Sequence, residues 1–384
     1  MPLQIHPIAD EPGVAAYQLT SCHYGRARTG TGTGKKVYIQ ASLHADEVPA
    51  MLVAHCLRRA LEGLDAEGRI HGEIILVPAA NPIGLSQLVH GTPFGRFDLG
   101  TGINFNRDFL HVADRLKATL AGRLGEDAAQ NVAVIRAEAR AAVERWEVPG
   151  TTAVLKKTLL SMAIDADIVL DLHCDNEALL HMYAGTALAA QAAPLAALLG
   201  ARALLLSGAS GGEPFDEACS RLWWDLADHF GPQLPIPPAC AAITVELRGE
   251  MDVRYDYAER DAQALLRYLA HEGVLELPPA ALSDALPESL PAALCAATPL
   301  EGVEPLSAPQ SGVLVFLKAL GDQVLAGEAV ADIVNPVSGV TTTLRARRGG
   351  LLFASTAHRH LLRGMQVCKL AGATPFRSGS LLSQ

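Results

Sequence analysis

The chain has 384 residues, enough for roughly two domains, and its 49% hydrophobic and 19% charged content marks a well-packed globular protein and excludes a disordered one. A formal net charge of −10 argues against nucleic acid as a partner, because neutralising phosphates takes a basic face. It does not exclude a small anionic ligand, for which one or two arginines in a pocket suffice.

The N-terminus, Met1-Pro2-Leu3-Gln4-Ile5-His6, has no basic segment followed by an apolar run, so no signal peptide is expected. No stretch of about eighteen uninterrupted apolar residues occurs, so no membrane span is expected either. Cys22, Cys56, Cys174, Cys219, Cys240, Cys295 and Cys368 are scattered, odd in number and without a Cys-x-x-Cys pair. Reduced thiols, a cytoplasmic location and no cysteine metal site follow as expectations. Thr29 to Lys36 looks like a phosphate loop, but Thr29 stands where a glycine is needed and Lys36 where a Ser or Thr is needed. It also leads into a strand instead of a helix, so a flexible turn is expected.

Lys36 to Ser42 is a short β-rich run. A helix follows, with Val48, Leu52, Val53, Leu57 and Leu61 on one side and Pro49 in the first turn, where a missing amide hydrogen does little harm. Glu73 to Ala80, Asp167 to Leu172, Ala201 to Leu206 and Ala241 to Leu247 read as further strands. Continuous apolar strands of this sort are buried on both faces, which predicts an α/β fold with helices on both sides of a largely parallel or mixed sheet. The charge-rich helical segment between Asp108 and Ser161 either covers that sheet or is a plain solvated helical pair. Leu275 to Gly302 turns rich in proline and alanine, the best candidate for a domain boundary. Short glycine-punctuated strands then suggest a small all-β barrel or sandwich, and Phe376 to Gln384 a loose tail. The predicted organisation is 1–275 as a catalytic domain, 276–302 as linker, 303–374 as the β domain and 375–384 as tail.

Several strands end in polar groups that are expensive to place near a core: His44-Ala45-Asp46-Glu47, Asn81-Pro82, Asp171-Leu172-His173 and Glu246. In open α/β sheets ligands bind beyond the carboxyl ends of the strands, so these groups point to one site. His44 and Glu47 can reach a common point from a strand-to-helix turn, and His173 supplies a third donor. Two imidazoles and one carboxylate form a known catalytic zinc set that leaves a fourth position for water, which predicts one Zn2+ per chain. Glu246 is the leading general base; the alternative is a rim pair with Arg248 or Arg254. Arg96 and Arg107 lie in a loop-rich stretch and suit either carboxylate binding, oxyanion stabilisation or structural salt bridges.

Taken in order, His44-x-x-Glu47, Asn81-Pro82, Arg96-Phe97, Asn106-Arg107, Asp171-Leu172-His173 and Glu246 resemble the succinylglutamate desuccinylase/aspartoacylase branch of the zinc carboxypeptidase superfamily. The resemblance spans most of residues 36 to 260. It implies a three-layer α/β/α arrangement around a mixed, mostly parallel eight-stranded sheet, with zinc on His44, Glu47 and His173 and Glu246 as base. Arg96 would polarise the scissile carbonyl, and Asn106 and Arg107 would bind a substrate carboxylate. The C-terminal part is similar to that branch's β domain, itself like a biotinyl/lipoyl barrel. Asn335 to Gly350 has no lysine, so a carrier role is not expected; the domain would shape the site or a homo-oligomer interface.

Cys174-Asp175-Asn176-Glu177 is more acidic than expected of an aspartoacylase. Unless other cations offset them, Asp175 and Glu177 would disfavour a dianionic acyl group and would contact a cationic or polar part of the substrate. The structural alternative is that these acids face solvent or order the histidine ligands through hydrogen bonds. The resulting expectation is hydrolysis of a small N-acyl amino acid bearing a free carboxylate, with no nucleic-acid or membrane partner. A carboxypeptidase acting on short peptides and a non-catalytic ligand-binding protein are the competing readings.

Overall fold

The computed structural model describes residues 3–9, 17–26, 34–278 and 290–382. Residues 29–33 of the stretch read above as a flexible turn, and 279–289 of the proline- and alanine-rich segment, lie outside the described residues.

Strands β1 (Leu3–Ile8) and β2 (Tyr17–Gly25) precede β3 (Lys36–Ala41), α1 (Pro49–Ala66) and β4 (Glu73–Val77). A short α2 (Pro82–Leu85) and a small hairpin, β5 (Leu88–Val89) with β6 (Thr92–Pro93), lead to α3 (Ala113–Leu120), α4 (Ala128–Glu144) and α5 (Thr151–Ala163). Then come β7 (Ile168–Asp175), β8 (Glu177–Ala178), β9 (His181–Gly185), α6 (Ala189–Leu199) and β10 (Ala203–Ser207). The larger part ends with α7 (Phe215–Phe230), β11 (Ala241–Gly249), α8 (Tyr255–His271) and β12 (Ala297–Pro299).

One sheet runs β1-β2-β4-β3-β7-β11-β9-β10-β12. Its centre, β4-β3-β7-β11, is parallel, whereas β1, β2 and the β11–β9 contact are antiparallel. Every residue of β3 is buried, as are the first seven of β7, which is why these runs show no polar alternation. Val37, Ile39, Leu170 and Ile243 face a core shared with α1, α6 and α8. Tyr38, Val169 and Ala242 face a second core formed with α3, α4, α5 and α7. The helical segment between Asp108 and Ser161 therefore covers one face of the sheet.

The sheet has nine strands where the resemblance implies eight. The extra edge strand, β12, pairs in parallel with β10, Leu204 opposite Ala297, and comes from the end of the expected linker. Beyond it, β13 (Val303–Ser307), β20 (Gln366–Ala371), β18 (Gly349–Ser355) and β15 (Gln323–Leu325) form one small sheet. The other contains β17 (Thr341–Arg345), β16 (Ala329–Val334), β14 (Gly312–Phe316) and β19 (His360–Leu361). Leu306, Leu314, Ile333, Leu352 and Leu370 fill the space between them. The exposed turn after β16 carries Val337, 96% exposed.

The two parts of the chain share both hydrogen bonds and apolar packing. Strand β8 pairs with β18, Glu177 opposite Ser355, and Leu205, Leu300, Phe353 and Leu381 pack together. The tail, expected to be loose, is anchored in its described residues. Leu381 is apolar and 6% exposed, and it donates its N–H to the Ser210 carbonyl at 2.8 Å. No helix among the described residues is long and apolar enough to cross a membrane.

The end of β11 is fixed by a buried ion pair. Arg248 adopts a positive φ of 69°, uncommon for a long side chain, and its guanidinium grips Asp261 of α8 through bonds of 2.7 and 2.8 Å. Asp261 is 1% exposed. Arg248→Met strands that carboxylate and is expected to lower stability by about 3–5 kcal/mol, read from urea unfolding. Adding Asp261→Asn should return much of the loss; a single variant as stable as the parent would show that the pair anchors nothing.

Candidate metal centre and its cavity

The parallel register delivers the polar strand ends to one place. Glu246 of β11 lies opposite His173 of β7, while Ala41, the last residue of β3, lies opposite Leu172. After β3 the chain turns through Ser42, at a φ of 58°, and Ser42 Oγ donates to the Glu47 carbonyl at 2.8 Å. Asn81, at the end of the neighbouring strand, supports the same turn. Its Nδ2 donates to the Leu43 carbonyl and its Oδ1 accepts from Gly84 N–H, both at 2.8 Å. Gly95 closes the third side: its carbonyl accepts from Ala45 N–H at 3.0 Å, and a Cβ there would lie 2.1 Å from Asp46 N. Only glycine fits so close a backbone approach.

His44, Glu47 and His173 meet in the space so framed, at 3%, 4% and 2% exposure. Glu47 stands between the rings, with Oε1 2.8 Å from His44 Nδ1 and Oε2 2.7 Å from His173 Nδ1. The outer nitrogens face acceptors: His44 Nε2 lies 3.0 Å from Asn104 Oδ1, and His173 Nε2 lies 3.0 Å from Asp171 Oδ2. Each ring thus faces an acceptor at both nitrogens; were a metal to take the Nδ1 atoms, the outer acceptors would hold the Nε2–H tautomer that metal-binding histidines use. Burial opposes ionisation of Glu47, yet His44 and His173 together hold its carboxyl below the ordinary range. One donor atom from each residue lies within 4.8 Å of the others, so the cluster could hold a metal ion.

These residues form the wall of a cavity of about 320 Å³. Glu246 is partly buried in that wall with its Oε2 unpartnered, and burial, followed by the charge of Glu47, pushes its carboxyl up to about 8. The alternative pairings do not form: Arg248 holds Asp261, and Arg254 holds Asp256 at 2.9 and 3.0 Å. Arg96 Nη1 lies 3.4 Å from His44 Nδ1 and 3.7 Å from Glu47 Oε1, at the mouth of the triad. Arg107 lines the cavity and packs across Gly212, where a Cβ would come within 2.7 Å of Arg107 Cδ. Asn106 also lines the cavity, with Oδ1 accepting Phe215 N–H at 2.9 Å and Nδ2 lying 3.4 Å from His173 Nε2.

Asp175 and Glu177 meet cations from the C-terminal part. Lys369 Nζ lies 2.5 Å from Asp175 Oδ2 inside the cavity. Glu177 is outside the cavity lining and accepts from Arg359 at 2.8 and 2.9 Å. The offsetting charges that the sequence left open are therefore present more than a hundred residues downstream, Lys369 on β20 and Arg359 just before β19.

Lys156 and Lys369 escaped the sequence reading. Lys156, 3% exposed, donates from Nζ to the carbonyls of Asn104 (3.0 Å) and Arg107 (2.7 Å), so it clamps the loop that carries both site arginine and amide. Burial pushes its amine down to about 8. The signal was available: Lys156 sits on the buried face of α5 with Thr152, Leu155, Leu159 and Leu160. Lys369, on a short strand of mixed pattern, gave none.

Residues 33–140 match the Succinylglutamate desuccinylase/Aspartoacylase catalytic domain. No curated protein matches the chain. Among solved structures, a succinylglutamate desuccinylase/aspartoacylase family protein from Shewanella amazonensis SB2B is 26% identical, with a TM-score of 0.77 over 97% of this chain and 98% of that one. A protein from Shewanella frigidimarina NCIMB 400, named for the same family, is 23% identical with a TM-score of 0.79, covering 97% of each chain. One from Rhodobacter sphaeroides, at 17% identity and a TM-score of 0.63 over 97% and 96% of the two chains, shares the fold. The catalytic-domain match covers residues 33–140, and the fold is shared over nearly the whole chain with a succinylglutamate desuccinylase/aspartoacylase family protein at 26% identity.

Proposed function

We propose that this chain is a zinc-dependent amidohydrolase that frees an amino acid from a small acyl group. The observation that carries the reading is the buried convergence of His44 Nδ1, His173 Nδ1 and the Glu47 carboxylate beside an unpartnered Glu246 oxygen, in one cavity with two arginines. Two imidazoles and a carboxylate fit zinc, which would polarise the scissile carbonyl and bring the pKa of a water down to about 7. Glu246 takes a proton from the attacking water as the carbon–oxygen bond forms. It returns that proton to the leaving nitrogen as the carbon–nitrogen bond breaks. Arg96 supplies a charged donor for the developing oxyanion, worth on the order of 3 kcal/mol in comparable deletions. Arg107 receives the substrate's free carboxylate, with Asn106 beside it in the cavity wall, held to the head of α7 by the Phe215 N–H.

At about 320 Å³ the cavity lies at the small end of the roughly 300–1,000 Å³ of ligand pockets, a size that accommodates a compact N-acyl amino acid. Residues 1–275 are assigned the chemistry. The β domain at 303–374 closes the cavity through Lys369, and Asp175 and Glu177 are assigned to holding it there.

Glu246→Gln is expected to lower kcat on N-acetyl amino acids by about 10²–10⁴-fold while the protein still binds one zinc per chain by metal analysis. Undiminished turnover in that variant would remove Glu246 as the base. Should zinc-incubated wild-type protein, freed of excess metal, retain none and cleave no amide, the non-catalytic binding reading stands instead. Gly95→Ala pushes a methyl group into the His44–Glu47 turn and should weaken zinc binding about tenfold or more in competition with a chromogenic chelator. Unchanged affinity would mean that the turn yields without moving the ligands.

A further inference from the structure

The acids that follow His173 are neutralised, and Asp46 and Glu250 accept from Gly95 N–H and Asn176, yet the cavity wall contains two more acids that the proposed chemistry does not use. Asp216 and Glu217 open helix α7, and both line the cavity. Acidic residues are common at a helix N-terminus, where the macrodipole favours them, and there they ordinarily face water. Glu217 does not: it is 8% exposed. Its Oε1 accepts Ser210 N–H at 2.6 Å, and its Oε2 is buried with no donor. Ser210, 4% exposed and also in the cavity wall, sets its hydroxyl against the same carboxylate.

A buried carboxylate oxygen with no donor is a costly arrangement unless something arrives to satisfy it. The neighbouring cations do not fill that need. Arg221, one turn along the helix, pairs with Glu213 at 3.1 Å and Asp225 at 3.2 Å, and Lys369 is engaged with Asp175. Burial and the charge of Glu217 push the Asp216 carboxyl up to about 7, as expected for two acids sharing one pocket. Arg107 packs against Gly212, three residues upstream of α7, and its charge interacts with both acids. A ligand carboxylate on Arg107 therefore lies in the same neighbourhood as a ligand cation on Asp216 and Glu217.

We infer that Asp216 and Glu217 form a subsite for the ammonium or guanidinium group of a substrate side chain, so that the amino acid released is a basic one. Identifying the ligand as an amino acid rests on the deacylase reading; the subsite itself rests on the two acids and the unpartnered Glu217 oxygen. If instead the pair serves only as counter-charge to Arg107, its removal would alter every carboxylate ligand alike.

Calorimetric titration of the zinc-incubated protein with L-ornithine, L-norvaline and L-glutamate separates these cases without requiring catalysis. Ornithine and norvaline share a backbone and differ in the terminal amine. Ornithine should bind about tenfold or more tightly than norvaline, as one charge-assisted hydrogen bond predicts, and glutamate should bind no better than norvaline. Glu217→Gln should shrink the ornithine advantage to about threefold or less while norvaline affinity holds, which also serves as the control for folding. Asp216→Asn should act in the same direction and stands in if the first variant does not fold. Ornithine binding no tighter than norvaline, or a variant that weakens both equally, overturns the subsite. Hydrolysis of the N-acetyl series is scored separately: no cleavage alongside an intact ornithine preference defeats the deacylase reading and leaves the subsite standing.

Discussion

The interaction on which the rest of this structure depends is the placement of one carboxylate between two imidazoles. Glu47 and the two rings are buried, and three such groups would repel or lose solvation unless each polar atom had a counterpart. The fold provides them in layers. Inside, Glu47 faces both Nδ1 atoms; outside, Asn104 and Asp171 face the Nε2 atoms. Beyond these, Lys156 fixes the Asn104 carbonyl from α5, and Asn81 and Gly95 fix the turn that carries His44. A ligand set built this way is preorganised, because each side chain is held by groups with no chemical role of their own.

A second layer of charge balance links the catalytic part to the β domain. Asp175 and Glu177 lie on opposite sides of the cavity wall, and each meets a cation from the last seventy residues, Lys369 and Arg359 respectively. The Lys369–Asp175 pair is largely buried, so it contributes little net stability while losing one partner is expensive, whereas the exposed Arg359–Glu177 pair is worth little either way. Such pairs therefore specify a docking geometry more than they strengthen it. Together with the β8–β18 pairing and the Phe353–Leu205–Leu381 contact, they fix the wall through which Lys369 enters the cavity.

Much of this was legible in the sequence, and the reason is physical. Buried parallel strands are continuous apolar runs, so β3, β4, β7, β10 and β11 stood out. A His, Asp or Glu at the end of such a run has no cheap structural explanation. His44, Glu47, His173 and Glu246 were visible on that ground. What stayed hidden depends on contacts between distant segments. Gly95 matters only because the 44–47 turn packs against it, and β12 is a strand only because β10 offers an edge. The acidity of Asp175 and Glu177 was plain, but Lys369 and Arg359 are about two hundred positions away, and nothing local couples them. Lys156 is the intermediate case, a lysine on an apolar helical face whose burial could have been inferred and whose partners could not.

The contrast among the cavity's acids carries the functional argument further than their number does. Asp175 has Lys369, Glu250 accepts from Asn176 at 2.5 Å, and Glu47 has two histidines. Among the acids that line the cavity, Glu246 and Glu217 each keep a buried oxygen without a donor; outside that lining Glu213 keeps one too, and Asp171 Oδ2 faces the His173 ring. A buried carboxylate oxygen without a donor is costly to the folded protein on its own. That cost is intelligible if each is completed by what the cavity binds: Glu246 by the water it would deprotonate, Glu217 by a cation. Both roles use the same property, an ionisable oxygen kept dry and unengaged until the substrate arrives, and that property is what the surrounding hydrogen bonds and ion pairs leave room for.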